Sequence, residues 1–157
     1  ENMAAVKGVY QVGADVEATY RKFKLGRKYR WVTFQLNNND DGSKMYDVDH
    51  CEEDRSKDVN DLCKELPEHD CRFVVFDYEY KTADGRPADK LFFINWNPRS
   101  AATTTQMDYL TGRPAIRGIC DGCFDVSATT SGEIKTGIVG DDGGDSDPDE
   151  VDGDDSW

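Results

Sequence analysis

Residues 66–98, LPEHDCRFVVFDYEYKTADGRPADKLFFINWNP, decide the fold. Residues 72–80 and 90–96 are dense in Phe, Val and Tyr or in Phe, Ile and Trp, side chains that suit a pleated, half-buried surface. Between them lies Thr82-Ala83-Asp84-Gly85-Arg86-Pro87, with Asp-Gly at its centre, a hairpin-turn signal. Val74-Val75-Phe76 and Leu91-Phe92-Phe93-Ile94 are apolar at consecutive positions. Successive strand residues point to opposite faces, so a strand apolar on both must be covered on both. The stretch therefore predicts a central β-hairpin with helices on each side.

Upstream, Val16, Tyr20 and Phe23 recur at helical spacing, predicting a helix that starts near Ala14 and stops at Gly26. Lys22, Lys24, Arg27, Lys28 and Arg30 gather at its end. They read as a solvated face with cations near a helix C-terminus, or as a contact for an acidic partner. Residues 29–36 predict a strand, 37–42 a turn, and 43–48 a returning, edge-like strand. Residues 56–66 predict a helix with Ser56 as N-cap and Val59, Leu62, Cys63 and Leu66 on its apolar face, stopped by Pro67. Downstream, Met107, Leu110, Ile116, Ile119 and Cys120 keep helical spacing, but Gly112, Pro114 and Gly118 interrupt it. Glycine costs about 1 kcal/mol and proline about 3 kcal/mol inside a helix. Two pieces, 101–111 and 114–121, are expected, followed by a short strand at 125–128. From Gly137 onward Gly and Asp dominate, too little apolar surface to offset ordering entropy. The expected organisation is one domain, 1–139, and an acidic, disordered tail, 140–157. Its class is α/β (α+β), a mixed sheet sandwiched between helices.

The 157 residues suffice for one domain with a proper core. Nine of the 32 acids lie in the tail, leaving 23 acids against 19 bases elsewhere, so the net charge of −13 belongs mostly to the tail. That balance argues against a general nucleic-acid binder. Five cysteines, an odd number in no scaffold spacing, suit a reducing compartment. No apolar run approaches the roughly 18 residues of a membrane span, and the first residues carry no signal-peptide core, so a soluble, cytoplasmic protein is expected. Cys120-x-x-Cys123 lacks a second pair, and neither His50-Cys51 nor His69-x-Cys71 stands at a zinc-finger spacing. These thiols read as core or loop residues, with no metal ligand among them. Asp145-x-Asp147-x-Asp149 lacks the glycine and closing glutamate of a calcium loop. Asp77 and Glu79 share a strand face without an accompanying nucleophile, so no catalytic residue and no cofactor are expected.

Four blocks in order carry a family resemblance: Lys24-Leu25-Gly26-Arg27-Lys28-Tyr29-Arg30, Leu66-Pro67-Glu68-His69-Asp70-Cys71-Arg72, Phe76-Asp77-Tyr78-Glu79-Tyr80 and Phe92-Phe93-Ile94-Asn95-Trp96-Asn97-Pro98. From about residue 8 to 134 the chain resembles the actin-depolymerising factor (ADF)/cofilin family. The resemblance implies the ADF-homology fold, a five- to six-stranded mixed sheet between helices. It implies a cytoplasmic, cytoskeletal monomer that binds monomeric and filamentous actin and promotes severing and depolymerisation. Phosphoinositides are a second candidate ligand. The actin-binding positions it implies are Lys7, Gly8, Val9, Arg86, Lys90, Thr104, Gln106, Met107, Arg113, Ile116 and Arg117.

The departures from the family pattern lie at these same positions. Thr104 and Gln106 replace two bases, which removes charge-assisted contacts of about 1.5–3 kcal/mol each. Lys7-Gly8-Val9 replaces a Ser-Gly-Val whose serine is a phosphorylation switch. Ala88 replaces a base between Arg86 and Lys90, and the charged C-terminal helix after Ile134 is expected to be missing. An altered binder follows, or a side-binding module of the same fold without strong disassembly activity.

Overall fold

The structure, a computed structural model, describes residues 4–5 and 10–140. The hairpin forms as its sequence predicts: β5 (Arg72–Lys81) and β6 (Pro87–Trp96) pair antiparallel along their whole length, from Arg72 opposite Trp96 to Lys81 opposite Pro87. Gly85 turns the chain with φ of +86°, a conformation open to glycine at no steric cost. On one face Phe73, Val75, Leu91 and Phe93 pack against Val16, Tyr20 and Phe23 of α1 (Asp15–Lys24) and Tyr109 and Ile116 of α3 (Thr103–Ile119). On the other, Val74, Phe76, Phe92, Ile94 and Trp96 pack against Leu62 of α2 (Val59–Glu65) and Ile134 and Ile138 of α4 (Ser131–Val139). The continuous apolar runs are thus divided by the pleat between two cores.

Around the hairpin stand β3 (Trp31–Asn38), β4 (Lys44–Glu52), β2 (Tyr10–Val12) and β7 (Phe124–Ala128). Six strands run in the order β2-β4-β3-β5-β6-β7, and the two-residue β1 (Ala4–Ala5) pairs with β2 at the edge. The centre is antiparallel and the outer pairs, β2–β4 and β6–β7, are parallel, which makes the sheet mixed. β4 is therefore an interior strand, where the sequence predicts an edge. Its outer neighbour, β2, has three residues, too few for a periodic signal.

Three helix expectations are corrected. α2 is capped by Asp58, whose side chain accepts the Asn60 and Asp61 N–H groups while Asp61 returns the bond. Ser56 instead binds Asp54 through its N–H and hydroxyl, at 3.0 and 2.6 Å. The expected break at 112–114 is a continuous helix: α3 runs through both Gly112 and Pro114. The Tyr46 hydroxyl reaches its backbone and donates to the Asp108 carbonyl, in the space that Gly112 leaves open. Leu110, whose carbonyl Pro114 cannot serve, is an exposed residue. Finally, the C-terminal helix is present. α4 is capped by Thr130, and Gly137 lets it settle on β7, where an added Cβ would stand 2.7 Å from a Val126 methyl. Glycine here permits close approach; it does not mark the onset of the tail.

Candidate functional site

α3 divides cleanly by burial. Tyr109, Gly112, Ile116 and the following Cys120 face the core, while Thr103, Thr104, Met107, Leu110, Pro114 and Gly118 face solvent. No residue of the exposed strip is charged. Three large apolar side chains are exposed among the described residues: Met107 (55%), Leu110 (60%) and Leu25 (75%). At its C-terminal end the strip meets a groove of about 400 Å³ lined by Tyr20, Arg21, Lys24, Leu25, Gly118 and Ile119 among others.

The strip is held rigidly from behind. Asp108 accepts from the Tyr10 hydroxyl at 2.5 Å and from Lys44 at 2.9 Å, tying α3 to β2 and β4. The Tyr109 hydroxyl accepts the Leu36 N–H at 2.7 Å, and burial pushes its pKa up to about 12. Gln106 donates to the Pro98 and Ala101 carbonyls, both at 3.2 Å, at the helix entry. Arg117 closes the other end: it binds Asp125 at 2.7 Å and the Cys120 and Cys123 carbonyls at 2.9 and 2.8 Å, and lies over the Phe93 ring.

The positions implied by the resemblance thus divide. Thr104 and Met107 are presented on the strip, and Gln106 stands beside it as a helix-entry donor. Ile116 is fully buried. Arg113 and Arg117 converge on Asp125, at 3.6 and 2.7 Å, beside the strip. Arg86 is exposed at the hairpin turn, paired with Asp84, whereas Lys90 is buried with its ammonium over the Tyr80 and Phe124 rings. Lys7, Gly8 and Val9 lie outside the described residues; Tyr10, next in the chain, is bonded to α3. Leu110 is the residue that sequence reading missed as a surface group. The signal was available: once Tyr109, Gly112 and Ile116 form the buried line, Met107, Leu110 and Pro114 lie opposite.

Much of the basic cluster at residues 22–30 is ion-paired within the chain. Arg27 reaches Asp77 at 3.3 Å and Asp89 at 2.7 Å, and Lys24 reaches Asp121 at 3.2 Å. Arg30 binds the Lys57 and Asp77 carbonyls and Glu79. Arg55 bridges Asp77 and Glu79 at 2.9 and 2.7 Å. The two carboxylates on one strand face therefore serve an ion-pair network that locks the loop after α1 to the hairpin. Cys120 and Cys123 are buried free thiols, and burial raises the pKa of both, which disfavours the reactive thiolate.

Asp77 is fully buried. Burial raises its pKa, the neighbouring Asp89 carboxyl adds to the rise, and Arg55 and Arg27 oppose it. A carboxyl with a raised folded-state pKa contributes its full stability below its ordinary value, 3.8 here, and loses it as pH rises through the folded value. Urea midpoints of the wild type and Asp77→Asn, compared from about pH 4 to about pH 8, are expected to show the wild type's advantage shrinking as pH rises. A constant difference would mean that Asp77 keeps an ordinary pKa.

Comparison with known proteins places this geometry. The family described as "Cofilin/tropomyosin-type actin-binding protein" matches residues 9–141. Actin-depolymerizing factor 9 of Arabidopsis thaliana is 31% identical over 76% of this chain and 83% of its own length. Actophorin of Acanthamoeba castellanii is 33% identical over 82% and 90%. The crystal structure of Streptomyces griseoflavus cofilin superposes with a TM-score of 0.70 at 28% identity, covering 80% of this chain and 89% of that one. The fold and these matches define an actin-binding, non-enzymatic class of protein. Within it, the chain belongs to the ADF/cofilin family. No helix among the described residues is long and apolar enough to cross a membrane.

Proposed function

We propose that this chain binds actin, as monomer and in the filament, through the solvent face of α3, and that binding promotes severing and depolymerisation. The observation that carries the reading is the uncharged strip of Met107 and Leu110 on a helix fixed by Asp108, Tyr109 and Arg117. An apolar helix face held rigid suits docking in a hydrophobic groove, because little ordering entropy is lost on binding. Lys7, Gly8 and Val9 are further contacts in this reading, since Tyr10, next in the chain, is bonded to α3, and Arg86 offers a separate contact at the hairpin turn. The protein acts as a monomer in the cytoplasm, on the actin cytoskeleton. Phosphoinositide binding has weaker support, since Lys24, Arg27 and Arg30 are engaged with acids of the chain. The family match to residue 141 and the end of α4 at Val139 support a domain boundary at 139/140.

A second reading, a side-binding module without strong disassembly activity, rests on the neutral Thr104 and on Gln106, whose amide is committed to two carbonyls. The presence of α4 removes the other argument for it. Co-sedimentation with actin filaments separates the two, scoring bound protein and actin released to the supernatant. Binding with a rise in soluble actin is the expected result. Binding without release selects the side-binding module, and no binding at all sinks both.

A further inference from the structure

Away from α3, one group of side chains brings metal-ligand atoms together from two elements. His50 and Glu52 stand two apart on β4, and Glu65 is the last residue of α2. His50 Nε2 lies 3.2 Å from Glu52 Oε1 and 3.8 Å from Glu65 Oε1, and one ligand atom from each residue lies within 4.8 Å of the others. A tetrahedral ion with ligands at about 2.0–2.1 Å sets neighbouring ligand atoms about 3.4 Å apart, close to the two spacings from His50. Glu52 is preorganised: its side chain is 11% exposed, and the Asp54 N–H fixes Oε2 at 3.0 Å, which turns Oε1 toward His50.

A second observation shows that the cluster already holds a cation. Lys57 Nζ lies 3.1 Å from Glu52 Oε1 and 3.6 Å from Glu65 Oε2. Its stem is flexible and its side chain one-third exposed, so it can leave toward solvent.

We infer that His50, Glu52 and Glu65 form a site for a divalent transition-metal ion of the zinc class, with Lys57 as a built-in competitor that occupies the cation position until metal displaces it. One imidazole and two carboxylates suit such an ion. Its binding ties α2 to β4 on the face of the sheet away from α3. The site is independent of the actin-binding surface, so its test stands whatever the outcome there.

The chain has two histidines, which makes the test direct. Long-range 1H–15N spectra of the full chain are recorded during titration with Zn2+ alone. Affinity is measured by competition with a chromophoric chelator for the wild type, His50→Ala, Glu65→Gln and Lys57→Met. The His50 ring is expected to shift saturably while the His69 ring stays in place. His50→Ala and Glu65→Gln are expected to weaken binding by about tenfold or more, and Lys57→Met to tighten it by about tenfold, the effect of removing one unit charge a few ångströms away. The acidic tail is common to all four proteins, so its own affinity for cations cancels. Equal affinities throughout, joint movement of both imidazoles, or a Lys57→Met protein that binds no tighter would each overturn the site.

Discussion

Replacing Met107 and Leu110 together by aspartate is expected to remove co-sedimentation with actin filaments and to leave the urea midpoint close to wild type. Both side chains are more than half exposed in the folded chain, so folding does not bury them. Substitutions at such positions usually change stability by less than about 0.5 kcal/mol. Docking reverses the balance. A carboxylate carried into an apolar contact without a partner costs several kcal/mol, and two of them at about 2 kcal/mol or more each weaken binding by roughly a thousandfold. The milder Met107→Ala variant should lose about 1–2 kcal/mol, roughly 5- to 30-fold, the range of a central apolar anchor. Ile116→Asp is the control, because that buried side chain belongs to the core and its loss should unfold the protein. If the double aspartate variant still sediments with filaments, the α3 strip is not the contact.

The second large effect is on stability. Gly112→Ala should improve helix propensity by about 1 kcal/mol, and on that ground alone it would stabilise. Packing decides the other way. A Cβ at Gly112 would stand 2.0 Å from Tyr46 Cζ and 2.1 Å from its hydroxyl oxygen, inside the ring's own volume. The ring cannot give way easily: Tyr46 is fully buried, packed near Phe73 and Tyr109, and its hydroxyl is engaged in the α3 ladder. Overpacking costs about 1–3 kcal/mol, and a clash this close belongs at the upper end, so after the propensity gain the net change should be a loss of about 2 kcal/mol in urea unfolding. A Tyr46→Leu change should cost less in the Gly112→Ala background than in the wild type, and this non-additivity identifies the clash as the cause. A Gly112→Ala protein as stable as the wild type would mean that α3 moves away from β4 freely. The proposed actin-binding strip would then rest on a looser support than the geometry describes.

These two expectations lie on opposite faces of one helix, and they mark what each level of description supplies. The central hairpin was legible from residues 72–96 alone, because runs apolar at both parities leave a strand no solvent face. So were α1, from three residues at helical spacing, and the family, from four blocks in order. The α3 residues Thr104, Gln106 and Met107 were legible as candidates by their place after Trp96-Asn97-Pro98.

Tertiary structure decided the rest. Propensity counts Gly112 and Pro114 as breaks, yet a tyrosine from β4 packs into the space left by the absent Cβ and bonds the Asp108 carbonyl, which holds the helix in place. Gly137 reads as the beginning of a tail until Val126 is seen to fill the same kind of gap. Composition counts Arg27 and Arg30 as available charge, but each is bound to acids or carbonyls brought from distant parts of the chain. Leu110 and Ile116 look alike in a helical pattern, and only packing against the sheet sends one to solvent and the other to the core. The sequence by itself determined the sheet, most of the helices and the family, since these follow from local periodicity and ordered motifs. Which side chains remain free to meet a partner was decided by long-range pairing, which periodicity does not encode.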